Sequence, residues 1–91
     1  MTNKPAVSEV LTGMIDLLEY KNKQYGDSAG SPIKVFSKIE AIEGINQRLD
    51  DKLMRIKNSK ELRKNDVSDL IGYLTLLCRE QGWSDFSEFK D

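Results

Sequence analysis

The chain has no histidine and a single cysteine, Cys78. A Ser-His-Asp triad, a Cys-His nucleophile pair and a histidine general base are therefore excluded, as is a zinc site built from Cys and His. One cysteine also excludes a disulfide within the chain. Proline and glycine are scarce, at two and six, which excludes collagen-like and low-complexity classes. No stretch approaches the ~18 consecutive apolar residues of a membrane-crossing helix. Near the start, Thr2, Asn3, Lys4, Ser8 and Glu9 break up the apolar run of about 7–15 residues that a signal peptide needs. A cytoplasmic protein with no membrane partner is expected. A charge excess is also missing: fourteen basic and fifteen acidic residues leave a net charge of −1, unlike a dedicated nucleic-acid binder. Chemistry must come from carboxylates, Lys, Arg, Tyr or a metal held by oxygen ligands.

At 91 residues, 38% hydrophobic and 32% charged, the chain is read as one domain, 1–91. A compact monomer of 10.4 kDa exposes roughly 5,400 Å². Its core is small, and self-association would relieve a thin stability margin. Val7, Val10, Leu11, Met14, Ile15, Leu17 and Leu18 recur at helical spacing and predict a helix from Val7 to about Lys23 after a loose start over residues 1–6. Gln24 to Pro32, rich in Gly, Ser and Asp, is a loop. Ser31-Pro32 reads as an N-cap and first helical position. Ile33, Phe36, Ile39 and Ile42 are then expected on a second helix that Gly44 stops or kinks.

Ile45, Leu49, Leu53 and Ile56 mark a third helix, to about Lys57. A basic connection, Asn58–Lys64, leads to the last helix. It is capped by Asn65 or Asp66, carries Val67, Leu70, Ile71, Leu74, Leu77 and Cys78, and is ended after Gln81 by Gly82. Trp83, Phe86 and Phe89, three apart near an acidic tail (84–91), either close one end of the bundle or dock on a protein partner. No hairpin signal or repeat is present. The fold class is all-α, a small bundle of three to four helices completed by oligomerisation through the last helix, which is apolar over much of its circumference.

Between Arg48 and Lys64, seven basic residues face three acids, a local balance of +4. Arg48, Asp51, Lys52 and Arg55 fall on an arc of about 100° beside the apolar face of the third helix. They can line a cleft edge, where Arg offers a bidentate fork and Lys a point charge to phosphate, or form an intrahelical ladder. On the last helix Asp66, Asp69 and Tyr73 share one stripe. Two carboxylates one turn apart can share a Mg²⁺, or Asp66 can cap the helix and Asp69 favour its dipole. Asp16 and Glu19 on the first helix repeat that spacing, with Asp16 turned to solvent and Glu19 nearer the apolar edge. Lys21 and Lys23 suit the C-terminal end of the first helix. Tyr25 either covers a base or fills space above the bundle.

Taken in order, "KNKQYGDS", "FSK", "RLDDKLMRI" and "DLIGYL" resemble the nucleotide modification associated domain 1 family, small proteins common in bacteriophages. The matching positions are Lys21, Asn22, Tyr25 and Gly26; Arg48, Asp51, Lys52 and Arg55; and Asp69, Leu70 and Tyr73. The resemblance spans about Leu17 to Leu77. That family is distantly similar to the MazG-like all-α nucleoside triphosphate pyrophosphohydrolases, in which carboxylates from helix pairs bind Mg²⁺. The resemblance implies a nucleotide or cyclic nucleotide as ligand, a homo-oligomeric helical bundle, and residence in the host cytoplasm if the gene is a phage's. It implies phosphate or nucleotide contacts from Lys21, Asn22, Tyr25, Arg48, Lys52, Arg55 and Tyr73. Asp66 and Asp69 would be Mg²⁺ ligands, with Glu19 and Asp51 as further candidates. The acidic set is thinner than the family's, because Asn65 stands where a further Asp is usual. The readings that follow are a Mg²⁺-dependent nucleotide pyrophosphohydrolase, a nucleotide-sequestering protein that does no chemistry, and a protein-binding inhibitor of a host factor.

Overall fold

A computed structural model describes residues 3–34 and 39–90. Three α-helices carry the fold: α1 (Val7–Tyr25), α2 (Ala41–Asn58) and α3 (Lys64–Gln81), followed by a single 3₁₀ turn over Ser87–Phe89. No strand occurs among the described residues. Among the described residues no helix is long and apolar enough to cross a membrane.

α1 begins at the expected residue. Its N-cap is Ala6, whose amide donates to Glu9 Oε1 at 3.1 Å, the backward half of a capping box. It runs two residues past Lys23. Gly26, at φ 66°, ends it in a backbone conformation that costs glycine little.

The helix expected to start at Pro32 is absent from the described part of its span. Lys34 has φ 60°, outside the right-handed helical region, and Ile33 is 87% exposed. Residues 35–38, with Phe36, lie outside the described residues. Ile42 belongs instead to α2, which starts at Ala41 behind Glu40. Gly44 lies inside α2 and does not stop it. Its amide donates to Glu40 O at 2.9 Å, a bond of α2's first turn.

α3 starts two to three residues ahead of expectation. Arg63 is the N-cap, so neither Asn65 nor Asp66 caps it. Its end is as expected. Gly82 adopts φ 75°, its amide donates to Arg79 O at 3.0 Å, and Trp83 N–H donates to Cys78 O at 2.8 Å. That bond pair is a Schellman termination, which requires the left-handed conformation.

α3 is the central element, packed on α2 and on α1, while the backbones of α1 and α2 make no close approach to each other among the described residues. The α2–α3 pair is antiparallel, since Lys52 meets Asp69 and Arg48 meets Tyr73. Ile45 and Leu49 are the buried apolar side chains among the described residues, with Ile45 only 1% exposed. α1 approaches α3 at the buried Gly72, where a Cβ would lie 3.2 Å from Leu18 Cδ2, inside the ~3.5–4.0 Å of ordinary carbon packing.

The result is open. The radius of gyration is 15.1 Å, against about 12 Å for a compact chain of this length. The exposed surface is 7725 Å², about 2,300 Å² more than a compact monomer of this mass presents. The aromatics of the tail do not close an end of the bundle. Trp83, Phe86 and Phe89 all stay more than half exposed. The last helix is also better covered than its composition suggests, with Val67, Leu70, Ile71, Leu77 and Cys78 half-buried and Leu74 exposed.

Candidate functional site

Where α1 crosses α3, the loop after α1 folds back and a cleft of about 400 Å³ opens between the three helices. That volume lies in the usual range for small-molecule sites. α1 contributes Lys21, Asn22 and Tyr25, α2 contributes Arg48, and α3 contributes Asp69 and Tyr73. The floor is apolar, from Leu17, Leu18, Leu76 and the bare backbone at Gly72. Three stretches distant in sequence thus bring six of the expected residues to one cavity.

Asp69 is the electrostatic centre. Its Oδ2 lies 2.9 Å from Lys52 Nζ and its Oδ1 lies 3.4 Å from Lys21 Nζ. Burial pushes this carboxyl's pKa up, but the ammonium groups of Lys52 and Lys21 outweigh burial and hold it below the ordinary carboxylate value. Lys52 is itself largely covered, at 15% exposed. Its stem packs while its charge reaches the acid. Arg48 makes no salt bridge among the described residues, and its guanidinium carbon lies 5.8 Å from the centre of the Tyr73 ring, within cation–π range.

The Asp27 wall of the cleft is held by an ion pair that sequence spacing gives no means of finding. Arg79 Nη2 donates to Asp27 Oδ1 at 2.8 Å, across 52 positions of the chain. The same carboxylate oxygen accepts Gly30 N–H at 3.1 Å. Arg79 and then the Gly30 amide hold the Asp27 carboxyl below its ordinary range. Gly72 was also missed as a site residue. Its signal was a glycine inside a helical pattern, which costs about 1 kcal/mol relative to alanine and so marks a close approach.

The remaining expected residues lie elsewhere. Arg55 is exposed and lines neither this cleft nor its neighbour. Asp51 faces a second cavity of about 540 Å³ between the loop and the start of α2, a cavity that also includes Arg48. Glu19 is exposed and outside both. Asp66 is fully buried. Its Oδ2 accepts from Arg63 Nε at 2.9 Å, while Oδ1 has no hydrogen-bond partner among the described residues. Its place in the first turn of α3 suits the helix dipole.

These placements do not fit the expected Mg²⁺ site. Mg²⁺ needs carboxylate oxygens whose charge is available to it. Both oxygens of Asp69 face lysines, and Asp66 is engaged by Arg63 instead. No group of three or more acidic or Cys side chains converges among the described residues. As arranged, the cleft offers cations and aromatic rings to a ligand.

No protein-family model matches this chain, and no curated protein or solved structure matches it either.

Proposed function

We propose that the cleft between α1, α2 and α3 binds a nucleotide or cyclic nucleotide without a metal ion and without hydrolysing it. The observation that carries this reading is Arg48, a guanidinium with no carboxylate partner among the described residues, beside Tyr73 in the cleft wall. Around it Lys21 and Lys52 share the single carboxylate of Asp69, while Asp27 is paired with Arg79, which also pairs with Glu80, so the network with Arg48 holds four cations and three carboxylates. The excess charge suits phosphate, and Arg suits phosphate oxygens in particular. Tyr25 and Tyr73 offer ring faces for a base. Stacking of this kind is worth about 1–3 kcal/mol per base.

Further support is that three of the four segments carrying the family resemblance line this one cavity; the fourth, "FSK", lies outside the described residues. Hydrolysis is the less favoured reading, because the carboxylates that would hold a metal are engaged by lysine and arginine.

Thermal unfolding against mono-, tri- and cyclic nucleotides, each with Mg²⁺ and with EDTA, tests the proposal. A ligand at 100 times its dissociation constant adds about 2.7 kcal/mol of stability, several degrees for a domain this size. The expected result is a shift that EDTA leaves intact and Arg48→Ala weakens by about 10- to 100-fold in affinity. A shift that requires Mg²⁺, or no shift with any nucleotide, overturns it.

A further inference from the structure

We infer that the N-terminal half of α1 is the seat of a second copy of this chain, paired helix to helix about a twofold axis. α1 carries one continuous apolar stripe. At ~100° per residue, Val7, Val10, Leu11, Met14, Ile15, Leu17 and Leu18 fall within an arc of about 160°. The C-terminal end of that stripe is used, with Leu18 against Gly72 and Leu17 in the cleft floor. The N-terminal half is bare. Val7, Val10, Leu11 and Ile15 are 46% to 76% exposed.

Charge argues for a copy of the same chain. Between Val7 and Ile15 the sole ionisable side chain is Glu9, placed about 160° from the middle of the stripe. A neutral apolar strip has no charged partner to select, and it is self-complementary, as an isologous interface requires. Area argues the same way. The chain exposes 7725 Å², some 2,300 Å² beyond a compact monomer, whereas a stable interface removes about 800 Å² from each partner. The self-association expected through α3 therefore moves to α1. Leu17 and Leu18 continue the same stripe into the cleft floor, so the second copy is seated along α1 next to that floor. This proposal does not depend on what the cleft binds.

Analytical ultracentrifugation of the full chain across the micromolar range tests it, together with melting at several concentrations. The wild type is expected to sediment as two chains or a higher multiple, with a melting temperature that rises with concentration. Leu11→Ala is the first variant, because Leu11 is more than half exposed in the single chain and its loss leaves the monomer fold standing. It should weaken association at least tenfold, with unchanged helical circular dichroism. Leu62→Ala, at a still more exposed apolar side chain in the α2–α3 connection, should leave association unchanged. A wild type that sediments as one 10.4 kDa chain with a concentration-independent melt overturns the proposal. So does a Leu11→Ala assembly as tight as the wild type.

Discussion

Asp69→Asn separates the two chemistries that this cleft could have, because they predict opposite signs. If phosphate binds the cations directly, Asp69 is a repulsive charge that competes for Lys21 and Lys52. A phosphate held by Lys21 and Arg48 would lie roughly 6 Å from the Asp69 carboxylate, where like unit charges repel by about 3 kcal/mol at an effective dielectric of 20 and about 0.7 kcal/mol in bulk water. The cleft is open and Lys21 is about half exposed, so the lower part of that range applies after solvent and salt screening. Removing the charge should therefore tighten binding of a nucleoside monophosphate by about 1 kcal/mol, or roughly fivefold.

The same substitution weakens the free protein. Asn still accepts a hydrogen bond from Lys52 but loses the charge assistance, a cost of about 1 kcal/mol and about 4–8 °C in melting temperature. The assay is isothermal titration with the nucleotide in EDTA, with a melt of each protein alone. The expected outcome is a less stable protein that binds more tightly. An Asp69→Asn variant that keeps its fold but loses binding, with wild-type binding that needs Mg²⁺, would make Asp69 a metal ligand and refute the reasoning.

Three further outcomes follow from the packing. Ile45→Ala removes one of the two buried apolar side chains among the described residues and should cost about 2–5 kcal/mol, read as a fall in the urea midpoint; an unchanged midpoint would show that Ile45 holds little. Gly82→Ala forces a side chain into φ 75° at the end of α3 and should lower stability by about 1 kcal/mol, whereas Gly44→Ala, in α2 with only an ordinary contact to Ile39, should be neutral or stabilising. Asp69 and Asp27 both have depressed carboxyl pKa values in the fold. Their stabilisation is therefore complete above the unfolded value of ~3.9 and is lost as pH falls through the lower folded values. Urea midpoints measured from pH 7 to pH 3 should drop in the acid limb, less steeply in Asp69→Asn, and equal slopes in the two proteins would show that Asp69 is not the group titrating.

What the sequence shows and what it hides divide along physical lines. α1 and α3 are legible because their apolar residues repeat at one helical period and their ends carry local signals, Gly26 and Gly82. The start of α2 is not legible. Ile33, Ile39 and Ile42 keep helical spacing, yet Lys34 is left-handed and α2 begins at Ala41. Pro32 looks like a helix start but lines the second cavity from a loop. Within the site, Lys21, Asn22, Tyr25, Arg48 and Tyr73 could be chosen by residue type and motif. The partners of Asp69 and the Asp27–Arg79 clasp could not, because they depend on how α1 crosses α3, and no spacing along the chain encodes that angle. Asp66 shows the limit from the other side: its spacing from Asp69 suggests a shared ligand, but burial and Arg63 give it a separate role.

The backbones of α1 and α2 make no close approach to each other among the described residues, which makes the cleft a joint. α2 and α3 are neighbours in sequence and pair locally, the kind of contact that forms early in folding. α1 rests on α3 around Gly72 and opens at lower cost than the α2–α3 pair. In hydrogen exchange, α1 amides should lose protection first and those around Ile45 and Leu49 last. A ligand that reaches from Lys21 to Arg48 would fasten α1 to α2 directly, where the chain links them through Asp69 of α3. Its affinity would be reduced by the fraction of time α1 is undocked, so the slowing of exchange along α1 would measure occupancy at a distance from the ligand.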